Sequence, residues 1–178
     1  MAMNTNQLPY YDTSDNPTGC CPRFNAEGWD GAELHFENKL FLKAETASVF
    51  HMPLNMGRVF MRAMDDMQKV DAFDEHQFIV LSRDPSSWKG EHLFSITNDV
   101  PGRDTVALSG DFVTRVFEGP YRNLPQWEEE MRDDLNAKGR TPRKIYFFYT
   151  TCPRCAKEYG KNYIVGVAEV EPEAVLVH

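Results

Sequence analysis

The chain has no apolar run approaching the roughly 18 residues that a membrane-spanning helix requires. Its opening residues, MAMNTNQLPYYDTSDNPTG, contain neither the basic nor the apolar segment of a secretory leader. We therefore expect a cytoplasmic protein with no membrane partner, in a compartment where thiols stay reduced. Positive charge is also scarce: 19 Lys and Arg stand against 27 Asp and Glu, a formal charge of −8. Such a chain has little with which to displace counterions from phosphates, which excludes a general nucleic-acid binder. The balance suits a cationic ligand, although an acidic surface also serves solubility. Several catalytic signatures are missing. There is no G-x-S-x-G of a serine-hydrolase elbow, and the five histidines form no H-E-x-x-H. The stretch GRDTVALSG lacks the lysine of a phosphate-binding loop.

What is present is enough for a packed core. Of 178 residues, 42% are hydrophobic and 12% aromatic, so a folded domain is expected rather than disorder. Residues 1–31 are polar and read as an extended arm with few anchors: Tyr10, Tyr11, Phe24 and Trp29. The remainder, 32–178, reads as one element order written twice. WDGAELHFENKLFLKAETASVFHMP is strand-like. LNMGRVFMRAMDDMQKV carries Met56, Val59, Phe60, Ala63, Met64 and Met67 at helical spacing. HQFIVLSRD and EHLFSITND follow as strands. In the second copy DFVTRVFEGPY is a strand, and NLPQWEEEMRDDLNAKG a helix with Pro125 in its first turn and Gly139 as its stop. RKIYFFYTT and KNYIVGVAEV complete it. Setting Val49 on Val116 also pairs Phe50 with Phe117, Pro53 with Pro120, Phe60 with Trp127, Met64 with Met131 and Asp66 with Asp133. The expected fold class is α+β: duplicated β-α-β-β units, about 32–107 and 108–178, related by a pseudo-twofold. Each has an antiparallel sheet with one helix, and a central cleft lies between them.

Strand parity nominates a lining for that cleft. In KIYFFY one face carries Ile145, Phe147 and Tyr149, the other Lys144, Tyr146 and Phe148. In NYIVGVAEV the small members of Ile164, Gly166, Ala168 and Val170 suit close packing beneath a helix. Tyr163, Val165, Val167 and Glu169 are left to face the cleft, or to form ordinary core with Glu169 at a solvated strand end. In the alignment of the copies His51 lies opposite Glu118.

The four cysteines fall in two tight clusters. Cys152 and Cys155 have knuckle spacing and fall at the tip of the last hairpin, not at the start of a helix as in a thioredoxin-type pair. With the adjacent Cys20 and Cys21 they make a candidate four-thiolate structural zinc site that ties the arm to the second hairpin. One of that adjacent pair with His35, His51 or His92 is a variant set. A redox or disulfide role, and free thiols, stand as alternatives.

FVTRVFEGPYRNLPQWEEEMRDDLNAKG followed by KIYFFY resembles the GyrI-like small-molecule-binding domain, the duplicated fold of gyrase-inhibitory proteins and multidrug-sensing regulators. Gly119, Pro120, Tyr121, Trp127 and Tyr146 fall at matching places. The combination GCCPRF, PLNMGRVF and TTCPRCAKEYGKNY resembles an uncharacterised subgroup of these proteins, loosely labelled hydrolases. The resemblance implies a cleft for an apolar or cationic aromatic molecule, stacked on Trp127, Tyr146, Phe148, Tyr163 and Phe60. It also implies an alternative, a hydrolase of a reactive electrophile such as a strained ring, using a glutamate beside aromatics. The family's acidic position just before IYFFY is held here by Lys144, so Glu118 or Glu169 would take that role, with Tyr146 polarising the leaving group. A third expectation is a protein-interaction module whose acidic surface meets a basic partner, in the manner of gyrase inhibitors.

Overall fold

The computed structural model describes residues 4–49, 52–53 and 55–172; the expectations placed on Phe50 and His51 lie outside the described residues. Strand β1 spans Glu33–Val49, and β2, Met52–Pro53, folds back on its end. Helix α1 (Met56–Lys69) precedes β3 (Val80–Ser86) and β4 (Lys89–Ser95). Then come β5 (Thr105–Glu118), a single 3-10 turn (Tyr121–Asn123), α2 (Leu124–Ala137), β6 (Pro142–Tyr149), α3 (Pro153–Tyr159) and β7 (Tyr163–Val170).

The strands pair in the order β1-β4-β3-β6-β7-β5, and β5 returns to β1. Six strands thus close into one antiparallel barrel, and β2 adds to the end of β1. The expected antiparallel α+β architecture is present, but as one closed sheet rather than two sheets flanking a cleft. The order β1-β4-β3 in the first half is matched by β5-β7-β6 in the second.

Helices α1 and α2 each cover the outside of one half. The α1 stripe buries Ala63 and Met67, and Phe60 sets its ring edge-on to His92 and Phe94. The α2 stripe buries Trp127, Met131 and Leu135. They pack against Phe117, Ile145, Phe147, Ile164, Ala168 and Val170, and Gly166 sits against the Met131 sulfur. Helix α2 ends in a Schellman turn. Gly139, at φ 74°, donates to the Asn136 carbonyl, and Arg140 donates to that of Leu135.

The opposite parity faces inward. Tyr146 is the Cα partner of Val167 and Phe148 that of Val165, all in the main core with Leu34, Phe36, Phe41, Leu81, Leu93 and Phe112. The N-terminal arm seats here. Trp29 is 0% exposed, and its ring lies 5.6 Å from Phe148; Tyr11 lies 6.0 Å from Phe148, and Phe24 6.1 Å from Tyr163. Asn6 donates its backbone N–H to His35, Gly31 donates to Thr114, and the Thr114 hydroxyl bonds the Trp29 carbonyl. The arm is therefore woven into the barrel core, with far more packing than its polar composition implied.

Candidate functional site

Two groups of chemically capable side chains stand out. The first is on the barrel's inner face. Tyr146 is 2% exposed. Burial pushes its phenol up to about 12; the Glu91 carboxylate adds to this, Arg83 opposes it and Glu169 adds again. Arg83 and Glu91 are cross-strand partners on β3 and β4, with Nη2 and Oε2 3.7 Å apart. The Arg83 Nε is buried and has no hydrogen-bond partner among the described residues. A buried N–H without an acceptor is a costly arrangement that calls for a use. Glu169, near the end of β7, keeps its side chain 20% exposed and lies 3.9 Å from the Arg143 guanidinium. The site thus sets a phenol that stays protonated at neutral pH near two carboxylates and a guanidinium.

The second group is the cysteines. The four sulfurs of Cys20, Cys21, Cys152 and Cys155 all lie within 4.8 Å of one another. No disulfide joins any of the four. The adjacent pair converges because the chain there is bent rather than extended. Asn16-Pro17-Thr18-Gly19 forms a turn with Gly19 at φ 73°, and the backbone N–H groups of Cys20 and Cys21 both donate to the Thr18 hydroxyl. Cys152 and Cys155 require a correction. They do lie between β6 and β7, but not at a bare hairpin tip: Cys152 is the N-cap of α3 and Cys155 lies within it, so the pair does stand at the start of a helix after a strand, contrary to the expectation from sequence. Pro153 at the first helical position and Gly160, at φ 72°, delimit this helix. Both are signals that the sequence carried. The Thr18 hydroxyl, 3.3 Å from the Cys155 sulfur, leads in pulling that thiol down to about 7 against the effect of burial, and the other three cysteines assist. Burial pushes the Cys21 thiol up. The set excludes the histidines that are described. His35 pairs with Asp111 at 2.6 Å, and His92 lies between the Thr46 and Ser82 hydroxyls at 2.9 and 2.7 Å.

The structure separates the aromatics expected to stack one ligand. Tyr146 and Phe148 face the barrel interior, Trp127 lies under α2 and Phe60 under α1. Tyr163 lines a groove of about 210 Å³ with Arg23, Phe24, Thr151, Tyr159 and Lys161. A larger groove, about 550 Å³, runs along α2 and includes Asp30, Glu33, Arg115, Asp134, Lys138 and Arg140. Neither groove is lined by Tyr146, Phe148, Trp127, Phe60, Glu118 or Glu169. Glu118 is exposed at the end of β5. Glu91 and Arg83 were not anticipated. They sit in ordinary alternating strands, and only the register β3–β4 and β3–β6 brings them round to Tyr146.

Among the described residues no helix is long and apolar enough to cross a membrane. No curated protein matches the chain. Two solved structures share its fold, each with a TM-score of 0.56 and covering 80% of this chain and 92% of their own. One is an uncharacterized conserved protein from Listeria innocua at 12% identity, the other a hydrolase from Listeria innocua at 14%. A family model described as "Bacterial hydrolase" matches residues 11–170, taking in most of the arm, the whole barrel and all four cysteines. The chain belongs to this bacterial hydrolase family.

Proposed function

We propose that the protein hydrolyses a small electrophilic molecule at the inner-face group of Tyr146, Glu91, Glu169 and Arg83. The observation that carries this reading is the buried Tyr146 phenol on the inner face, where the β3–β6 register at Ser82 and Phe147 brings Arg83 alongside and Arg83 in turn pairs with Glu91 at 3.7 Å. The family description and the Listeria hydrolase point the same way. In the reaction a carboxylate of Glu91 or Glu169 takes a proton from water. The water oxygen forms a bond to the electrophilic carbon as the bond to the leaving group breaks. The Tyr146 proton passes to the leaving group, and the protonated carboxyl then returns its proton to the phenolate. Arg83 holds the negative charge that develops on the substrate. Zinc has only a structural place in this reading, on the four thiols. The GyrI-like resemblance belongs here as well: the matched strand orders of the two halves support a duplicated β-α-β-β unit.

The test is a panel of activated esters, lactones, epoxides and electron-poor cyclopropanes, followed by Tyr146→Phe on whichever substrate turns over. Removing the phenolic proton is expected to lower kcat by about 10²–10⁴-fold, the usual contribution of a positioned acid. An unchanged kcat in a normally folded variant refutes the assignment.

A second reading, ligand binding without turnover, is favoured by the smaller groove. Phe24, Tyr159 and Tyr163 give it aromatic walls, and Arg23 and Lys161 give it positive charge. That lining suits an acidic aromatic molecule better than the cationic one expected from the overall charge.

A further inference from the structure

The four cysteines come from two segments far apart in the chain, Cys20-Cys21 in the arm and Cys152-x-x-Cys155 before β7. A thiol is a weak hydrogen-bond donor and acceptor, so four of them gain little from one another by hydrogen bonding alone. A tetrahedral zinc ion with bonds of about 2.3 Å holds its sulfurs about 3.8 Å apart. The Cys20 and Cys21 sulfurs are 3.7 Å apart, and none of the four exceeds 4.8 Å from another. A disulfide would need about 2.05 Å.

The surroundings are arranged for such a centre. Each pair is presented by a tight local structure, the Asn16–Gly19 turn on one side and the first turn of α3 on the other. Tyr159, at the far end of α3, hydrogen-bonds the Cys21 carbonyl and, at 2.9 Å, the Thr18 hydroxyl. Backbone donation to sulfur is present too: Cys152 N–H points to the Cys21 sulfur at 3.5 Å. Four thiolates around one dication leave a net negative charge. Arg23 lies over the Tyr159 ring at 5.1 Å, and with Lys161 it lines the adjoining groove.

We propose that Cys20, Cys21, Cys152 and Cys155 bind one Zn²⁺ as four thiolates, and that this ion latches the arm onto the last hairpin. Four protein ligands leave no open position, so the centre is structural rather than a source of activated water. The arm is anchored near its start through Asn6 and near its end through Trp29 and Gly31. The stretch between Asp12 and Arg23 reaches the rest of the protein through the cysteines, Thr18 and Tyr159. Zinc holds that stretch down, and with it the Arg23 and Phe24 wall of the smaller groove.

The experiment is elemental analysis of the full chain expressed with zinc in the medium and purified without chelator. About one zinc per chain is expected, falling to near zero in the Cys152→Ser/Cys155→Ser double variant. Cobalt exchange should give the visible d–d and thiolate charge-transfer bands of a tetrahedral sulfur site. Tryptic cleavage after the exposed Arg23 should accelerate when a chelator strips the metal. Wild-type protein with well under one metal and four titratable thiols overturns the proposal. So does a mass lower by two hydrogens, which reports a disulfide, or stoichiometric binding of a different metal. None of these readouts depends on turnover, so the inference stands or falls separately from the reaction proposed at Tyr146.

Discussion

The backbone N–H of Cys152 donates to the sulfur of Cys21 at 3.5 Å, across 131 positions of sequence. This contact fastens the arm at its polar middle, while Trp29 fixes its end. Trp29 is 0% exposed, packs against Tyr11, Phe24 and Phe148, and donates its indole N–H to the Tyr10 carbonyl at 3.2 Å. Trp29→Ala is therefore expected to destabilise the whole barrel, not only the arm, by about 3–5 kcal/mol. Urea unfolding followed by a barrel signal would show it. A shift confined to an arm-specific probe would mean that the arm is an appendage.

Gly166 lies on β7 beneath Met131 of α2. A Cβ built there meets the Met131 sulfur at far less than contact distance, and the Phe117 ring at 3.1 Å. The strand backbone itself would accept alanine, since Gly166 is not among the glycines with positive φ. The whole effect of Gly166→Ala is then overpacking, about 1–3 kcal/mol of lost stability. Met131→Ala opens a cavity and is costly alone. Combined with Gly166→Ala it should cost less than the sum of the two, because the added methyl enters the vacated space. Additive effects in the double-mutant cycle would show that the two side chains do not compete for one volume.

His92 makes stability depend on pH. It is 1% exposed beneath Phe60, held between Thr46 and Ser82, and burial pulls it down to about 4. In the unfolded chain a histidine titrates near 6.5. Between these values the unfolded state binds a proton that the folded state refuses, so stability falls as pH drops from about 6.5 towards 4 and this loss levels off below 4. The slope approaches about 1.4 kcal/mol per pH unit, and the total is of order 3 kcal/mol. Carboxylates add their own acid sensitivity. The check is the difference between wild type and His92→Gln, whose stability profile should be flatter by one proton over this window. Parallel profiles would mean that His92 titrates normally when folded.

The packing of α1 and α2 was readable from residue spacing, whereas α3 was not. Leu135, Met131 and Trp127 fall on one stripe of α2, and Gly166 and Ala168 are small where that stripe lands. Gly119 was also readable as part of the G-P-Y turn. The structure supplies the reason: φ is 146°, its N–H bonds the Asn162 carbonyl at 3.0 Å, and a Cβ there would press the Trp127 ring at 3.2 Å. Closure of the barrel was not readable. It rests on β1 meeting β5 and β3 meeting β6, the latter registered at Ser82 and Phe147, and no local pattern encodes such distant pairings. For the same reason the candidate site was half seen. Tyr146 and Glu169 follow from parity on their own strands, whereas Glu91 and Arg83 look like surface charges until the register turns them to the inner face. The cysteines were seen as a set, but the turn at Gly19 and the helix after Cys152 decide that their sulfurs meet.

The three glutamates weighed for the proposed reaction are distinguishable by position. Glu91 has 18% of its side chain exposed, pairs with Arg83, and influences the Tyr146 phenol more than Glu169 does. Glu169 shares its charge with Arg143 at the strand end. Glu118 is exposed. For a substrate that the protein turns over under the proposed reaction, Glu91→Gln is expected to lower kcat/KM by about 10²–10⁴-fold, Glu169→Gln by less, and Glu118→Gln by under about twofold. The glutamine keeps the size of the side chain, but it cannot take a proton from water. A fall in kcat with intact unfolding behaviour therefore reports base chemistry rather than packing. If Glu118→Gln alone abolishes turnover while Glu91→Gln is silent, the reacting centre lies at the exposed end of β5 and the inner-face assignment is wrong.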